Sequence, residues 1–107
     1  MLIYVAHPYG GDENNKKRVE GIVECLSKKY PEHTFVSPIH AFGFMYSTLE
    51  TYEHGMRMCL DLLDRCDCLI ACLGWEFSYG ATREVEHAKI KGLKIYDEKE
   101  VLLNWKF

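Results

Sequence analysis

The sequence predicts an α/β fold, a parallel sheet lying between layers of helices, and three observations predict it. Leu2-Ile3-Tyr4-Val5-Ala6 and Cys68-Leu69-Ile70-Ala71-Cys72-Leu73 are short apolar runs without alternation, as strands covered on both faces require. Segments of helical period stand between and after them. Each run closes on a turn signal, His7-Pro8-Tyr9-Gly10-Gly11-Asp12 and Gly74, from which a helix departs. At 107 residues the chain supports a single core, so residues 1–107 read as one domain.

Composition narrows the function classes. Apolar residues make up 48% and charged residues 27%, which is globular rather than disordered. A net charge of −3 leaves no basic surplus for a nucleic-acid polymer, though local dipoles can still hold a small anion. No apolar run approaches a membrane span, and the first strand starts at Leu2 with no basic leader ahead of it, so the expected location is cytoplasmic. Five cysteines, an odd number, suit a reducing compartment better than a disulfide framework. Cys66, Cys68 and Cys72 share the parity of one strand face, but no C-x-x-C pair accompanies them. They read as buried free thiols, and neither a metal nor a cofactor is expected.

The first strand, residues 2–6, runs through the Pro-Tyr-Gly-Gly loop into a helix that begins at Glu13 or Asn14. Val19, Ile22, Val23, Leu26 and Tyr30 form its apolar stripe, Lys16, Lys17, Arg18, Lys28 and Lys29 lie mostly on the wet side, and Pro31 ends it. Strand, glycine loop and helix make half of a nucleotide-binding βαβ unit. The backbone of Pro8, Tyr9, Gly10 and Gly11 and the helix amides could receive a phosphate or a ribose hydroxyl. The loop equally suits a plain glycine turn, and it lacks both G-x-G-x-x-G and a Walker lysine.

Residues 34–37 read as the second strand, stopped by Pro38. A long connection, 39–51, carries His40, Phe42, Phe44, Met45 and Tyr46, aromatic material that suits stacking on a base as well as covering the core or a subunit contact. Thr51 is a candidate cap for the next helix, whose stripe is Tyr52, Met56, Cys59, Leu63 and Cys66, with Asp61 toward solvent.

The third strand, 68–73, ends at Gly74. In the helix beyond Ser78, residues Ala81, Val85, Ala88 and Gly92 recur at i, i+4, i+7 and i+11 along one face. Glu84 falls at the rim of that stripe, whereas Arg83 and Glu86 point away from it. A carboxylate is thereby put at the mouth of a strand's carboxyl end, where open α/β sheets bind ligands. Residues 94–96 give one more strand, and the tail 97–107 carries Val101, Leu102, Leu103, Trp105 and Phe107. Tail and aromatic loop together suggest a homodimer or larger homo-oligomer, since so small a domain can hardly cover both. Right-handed crossovers among four or five strands give the order 2-1-3-4, a three-layer flavodoxin-like or Rossmann-like sheet.

The order Asp67, Gly74-Trp75, Ser78, Gly80, Glu84, Ala88, Gly92 resembles the signature of the nucleoside 2-deoxyribosyltransferase-like superfamily, with the Gly-Trp pair nearest a small bacterial and phage branch. Ser78, six residues before Glu84, is similar to the deoxynucleoside 5′-monophosphate N-hydrolases. With Tyr4 four residues before Pro8, the resemblance extends over most of the chain. It implies Glu84 as nucleophile at an anomeric carbon and Tyr4 as the residue that orients it or the sugar. It further implies a small-molecule nucleoside or nucleotide contacted by Pro8, Tyr9, Gly10, Gly11, Trp75, Ser78 and Gly80. Ser78 and the amides after it would take a 5′-phosphate, and Trp75 would wall the base. On the residues alone, Tyr4 also suits a core strand, Ser78 an N-cap and Trp75 a lid on the core.

One position departs from the pattern. The family's second carboxylate lies in the preceding helix, near eight residues before Asp67, and there this chain has Cys59, with no Asp or Glu in register. Two readings follow: an N-glycosidase or deoxyribosyltransferase acting on a nucleoside or its 5′-monophosphate, and a non-catalytic module that senses or sequesters a nucleotide. A third, cleavage of the nicotinamide ribosyl bond of NAD, needs one carboxylate only, because its leaving group is already cationic.

Overall fold

The structure, a computed structural model, describes residues 1–103 and Phe107. Trp105, expected in the apolar tail, lies outside the described residues. Four parallel strands, β1 (Leu2–Ala6), β2 (Thr34–Val36), β3 (Cys68–Ala71) and β4 (Lys94–Asp97), stand in the order β2-β1-β3-β4. This is the expected flavodoxin-like order. β1 and β3 pair centrally, Ile3 beside Cys68 and Ala6 beside Ala71.

Both central strands are buried on both faces, which is why their sequences do not alternate. Ile3, Val5, Cys68, Ile70 and Cys72 face one layer, formed by α1 (Glu13–Lys29) and α5 (Glu98–Leu103). Tyr4, Ala6, Leu69 and Ala71 face the other, formed by α3 (Leu49–Asp64) and α4 (Tyr79–Ile90). Asp12 caps α1 by accepting from the Asn14 N–H, and Val19, Ile22 and Leu26 are its buried stripe. Asp67, a residue of the signature, serves the far end of the sheet, where its carboxylate accepts from the Leu2 N–H at 2.7 Å.

Several expectations are corrected. The connection 39–51 is not a loop: Pro38 stops β2 and at once opens α2 (Pro38–Phe42), with Ser37 as its N-cap. Proline suits a first helical turn, where no N–H is needed. A 3-10 segment, Gly43–Ser47, follows, and α3 is capped by Thr48 rather than Thr51. The two threonines form a reciprocal capping box, in which the Thr48 hydroxyl accepts from the Thr51 N–H at 3.2 Å and the Thr51 hydroxyl from the Thr48 N–H at 3.1 Å.

β3 is two residues shorter than its apolar run. Leu73 is 64% exposed, because the chain leaves the sheet to reach Gly74, whose φ of 88° makes the turn. Gly92 lies past α4 instead of on its face. At φ 75° it is the left-handed residue of a Schellman end, with the Leu93 N–H donating to the Ala88 carbonyl and the Gly92 N–H to that of Lys89. Cys66 packs with the layer opposite to Cys68 and Cys72, since the strand parity begins only at Cys68. Part of the tail is helix α5, and Val101 and Phe107 pack against the core of their own chain.

Candidate functional site

Strand order reverses between β1 and β3, and the crevice at their carboxyl ends is where a ligand is expected. A cavity of about 340 Å³ opens there. Glu84 is at its floor, 4% exposed, in the second turn of α4. Ser78 and Gly80 line the cavity from the amino end of that helix, and Pro8, Tyr9 and Gly10 from the turn after β1.

Tyr4 projects from the middle of β1 toward α4, and its hydroxyl donates to the Glu84 carboxylate. It does not itself line the cavity, and it supports Glu84 from behind. Burial pushes the Glu84 carboxyl up to about 7, against the opposing pull of the Tyr4 hydroxyl, which favours the anion. Burial and the Glu84 charge together hold the Tyr4 phenol well above its ordinary value. Cys59, reaching in from α3, lies within hydrogen-bonding reach of the same hydroxyl, and burial followed by the Glu84 charge pushes its thiol up to about 12. Tyr4, Cys59 and Glu84 thus meet at one point from three elements.

Gly11 and Trp75 fall outside the cavity. Gly11 lies against the Tyr46 ring, and Trp75 packs on the apolar layer of α3 and α4, with the Lys89 ammonium 5.9 Å from its ring centre. Ser78 is the N-cap of α4, its Oγ accepting from the Ala81 N–H at 3.2 Å. Ser78 also lines the cavity, and a hydroxyl that accepts one bond keeps a proton to donate.

Sequence reasoning missed two features. The first is that Tyr52 and Tyr79 join Tyr9 and Tyr46, the two already named from the sequence, in a belt of tyrosines around the cavity. Tyr9 meets Tyr46 edge-on at 5.4 Å, Tyr46 meets Tyr52 at 5.3 Å, and Tyr52 lies 6.1 Å from Tyr79. All four rings line the cavity, and burial pushes the Tyr52 phenol up to about 12. Tyr52 reads in the sequence as one more member of a buried stripe, and nothing local sets Tyr79 apart.

The second is a polar cluster behind the β1 turn. The Glu98 carboxylate accepts from Arg18 at 2.6 and 3.0 Å and from the Leu73 N–H at 2.9 Å. Burial would raise the Glu98 carboxyl, but Arg18 and that N–H outweigh it and hold it below its usual range. His7 lines the cavity, donates from Nδ1 to the Pro8 carbonyl at 2.7 Å and receives Arg18 at Nε2 at 2.7 Å. Burial, assisted by the Arg18 charge, lowers its pKa, so the ring is a neutral brace for the turn. Its signal is the His-Pro pair opening the loop, which is silent without Arg18 and Glu98 in view.

Residues 1–97 match the family model described as a domain of unknown function, DUF4406. No curated protein matches the chain. Among solved structures it is similar to a 2-deoxyribosyltransferase from the psychrotolerant bacterium Bacillus psychrosaccharolyticus. The TM-score is 0.62 at 19% identity, over 91% of this chain and 71% of that one, a likeness of fold.

Proposed function

The chain belongs to the DUF4406 family, within the nucleoside 2-deoxyribosyltransferase-like superfamily, and on that footing we propose that it cleaves the N-glycosidic bond of a nucleoside or nucleoside 5′-monophosphate. The observation that carries this reading is the buried Glu84 carboxylate, braced by Tyr4 and facing a cavity at the sheet's switch point. Such a carboxylate is both anion and nucleophile. As the glycosidic bond lengthens, positive charge grows on the anomeric carbon and the ring oxygen, and a desolvated carboxylate stabilises it more than water would. A bond from the Glu84 oxygen to that carbon then gives a glycosyl ester, which water or a second base resolves.

Tyr4 is a positioning residue, fixing which carboxylate oxygen is turned to the sugar and holding part of the anion's charge. The amides at the amino end of α4, with the Ser78 hydroxyl, suit a 5′-phosphate. The tyrosine belt suits a base, and the β1 turn at Pro8, Tyr9 and Gly10 suits sugar hydroxyls.

One observation favours a second reading, a nucleotide-binding module without turnover: the thiol of Cys59, pushed up to about 12, is a poor proton donor for a departing base. Incubation with nucleosides, their 5′-monophosphates and NAD, read by chromatography for free base and by thermal shift for binding, separates the two. Release of base supports the enzyme; stabilisation with no release supports the binder. Under either reading we propose self-association as a homodimer or larger homo-oligomer, on the strength of Phe77, 95% exposed at the cavity, and of exposed Phe44 and Leu49. A monomer by light scattering at high micromolar concentration would contradict it.

A further inference from the structure

Resting on the glycosidase reading, we propose that the substrates are N-glycosides whose base already carries a positive charge, such as pyridinium nucleotides or N7-alkylated purine nucleotides. Two independent observations point there, the acid-base inventory of the cavity and the character of its walls.

A neutral base leaves as an anion unless a proton reaches it, so a site for neutral nucleosides needs an acid. Among the described residues lining the cavity Glu84 is the only carboxyl group, and its role as nucleophile requires it ionised. His7 is neutral, with its Nδ1 proton committed to the Pro8 carbonyl and its Nε2 to Arg18. The Cys59 thiol and the Tyr52 phenol are both held at about 12 by burial, and the other hydroxyls of the lining, on Tyr9, Tyr46, Tyr79 and Ser78, are phenols and an alcohol, by their chemistry far weaker acids than a carboxyl. Tyr4 already spends its proton on Glu84. A cationic base needs none of them. As the Glu84 oxygen bonds to the anomeric carbon, the electron pair of the breaking C–N bond passes to the ring nitrogen, and the base departs neutral. Water then attacks the same carbon, the Glu84 carboxylate leaves with its electron pair, and the water's extra proton goes to solvent.

The walls suit the same charge. Tyr9, Tyr46, Tyr52 and Tyr79 form a continuous belt of rings around a cavity whose lining, among the described residues, holds one carboxylate, Glu84. Ring faces and an anion in a low-dielectric site attract a delocalised cation. The cation beside this belt, Arg83, lies 5.4 Å from the Tyr79 ring centre and is itself paired with Glu53 at 3.0 and 3.1 Å.

The test is a matched pair differing by one methyl group and the positive charge it brings below neutrality: N7-methylguanosine and guanosine, each as ribonucleoside, 2′-deoxyribonucleoside and 5′-monophosphate, with nicotinamide mononucleotide as the pyridinium. Base release by the whole chain is divided by release in buffer, which removes the greater lability of the cations. The expected result is an enhancement about 100-fold larger for the methylated or pyridinium substrates, the scale that a missing general acid sets. The rate on nicotinamide mononucleotide, whose ring charge does not titrate, should rise with pH along a single limb as Glu84 ionises, with no acid group of the site producing a fall on the alkaline side. Cys59→Asp, which adds an acid beside Tyr4, should raise turnover of neutral guanosine substrates about tenfold or more. Equal or greater enhancement on neutral substrates would overturn this inference and leave the glycosidase reading intact. No release from any substrate would overturn both. Should Cys59→Asp fail to fold, the matched pair on the wild type still decides.

Discussion

The Tyr4 hydroxyl on the first strand donates to the Glu84 carboxylate on the helix after the third, joining residues 80 positions apart where neither meets bulk water. Two opposed forces act on that carboxylate: burial, which favours its neutral form, and the phenol, which favours its anion. Burial wins, and the group titrates near neutrality.

Tyr4→Phe removes the force that loses. The Glu84 carboxyl should then titrate higher still, by about one unit, moving the rising limb of activity to more alkaline pH. Carbon-13 NMR of the Glu84 carboxyl in wild type and variant measures it directly. An unmoved midpoint would mean that the hydroxyl does not hold the anion.

Glu84 also ties stability to pH. Its folded pKa of about 7 lies above the ordinary 4.5, so its contribution is fully present below pH 4.5 and is lost as pH rises through 7. The charged, buried carboxylate therefore destabilises the fold at pH 8 by roughly 3 kcal/mol relative to pH 4.5. Glu84→Gln lacks this dependence, and urea unfolding should find the variant gaining on the wild type by about that amount across the interval. A constant difference would contradict the burial.

Glu98 acts with the opposite sign. Its carboxyl is held below the usual range by Arg18 and the Leu73 N–H, so its stabilisation is present above the ordinary glutamate pKa and is lost as pH falls through the depressed value. Glu98→Ala should cost about 2 kcal/mol at pH 7, a figure reduced for the partial exposure of Arg18, and less in acid. Denaturant titrations at pH 7 and pH 3 check the sign.

The threonine capping box fixes where α3 begins and with it the wall that carries Tyr52. Reciprocal bonds of this kind mark the boundary of what the sequence makes legible. Strands reveal themselves by unbroken apolar runs, so β1, β3 and the order of the sheet can be read, and so can Glu84, because helical period alone puts it at the rim of an apolar stripe. Segments whose structure depends on reciprocal side-chain bonds or on distant partners cannot. Thr48 and Thr51 look alike until each is seen bonding the other, and Pro38 reads as a stop although it is also a start. His7, Arg18 and Glu98 become a unit only when β4 brings α5 beside the β1 turn. The sequence places Trp75 by its neighbour Gly74, but the turn there sends the ring onto the core and leaves the cavity to Phe77, Ser78 and Tyr79.

Ser78 performs two tasks that one substitution separates. Ser78→Ala should cost about 1 kcal/mol as a lost N-cap and should weaken 5′-monophosphates more than the matching nucleosides, since only the former set an anion at the amino end of α4. Calorimetry on both ligand types distinguishes them: equal weakening would mean that the loss is structural alone.

The central claim is that the Glu84 carboxylate forms the bond to the sugar, and its most direct test is the rate of base release by Glu84→Gln beside that of the wild type, with substrate affinity measured on both. The amide of that variant keeps the shape of the side chain and its contact with Tyr4 while removing the charge that meets an oxocarbenium ion. Turnover should fall about a thousandfold or more, with affinity preserved within a fewfold. A Glu84→Gln protein that still releases base at the wild-type rate would contradict it.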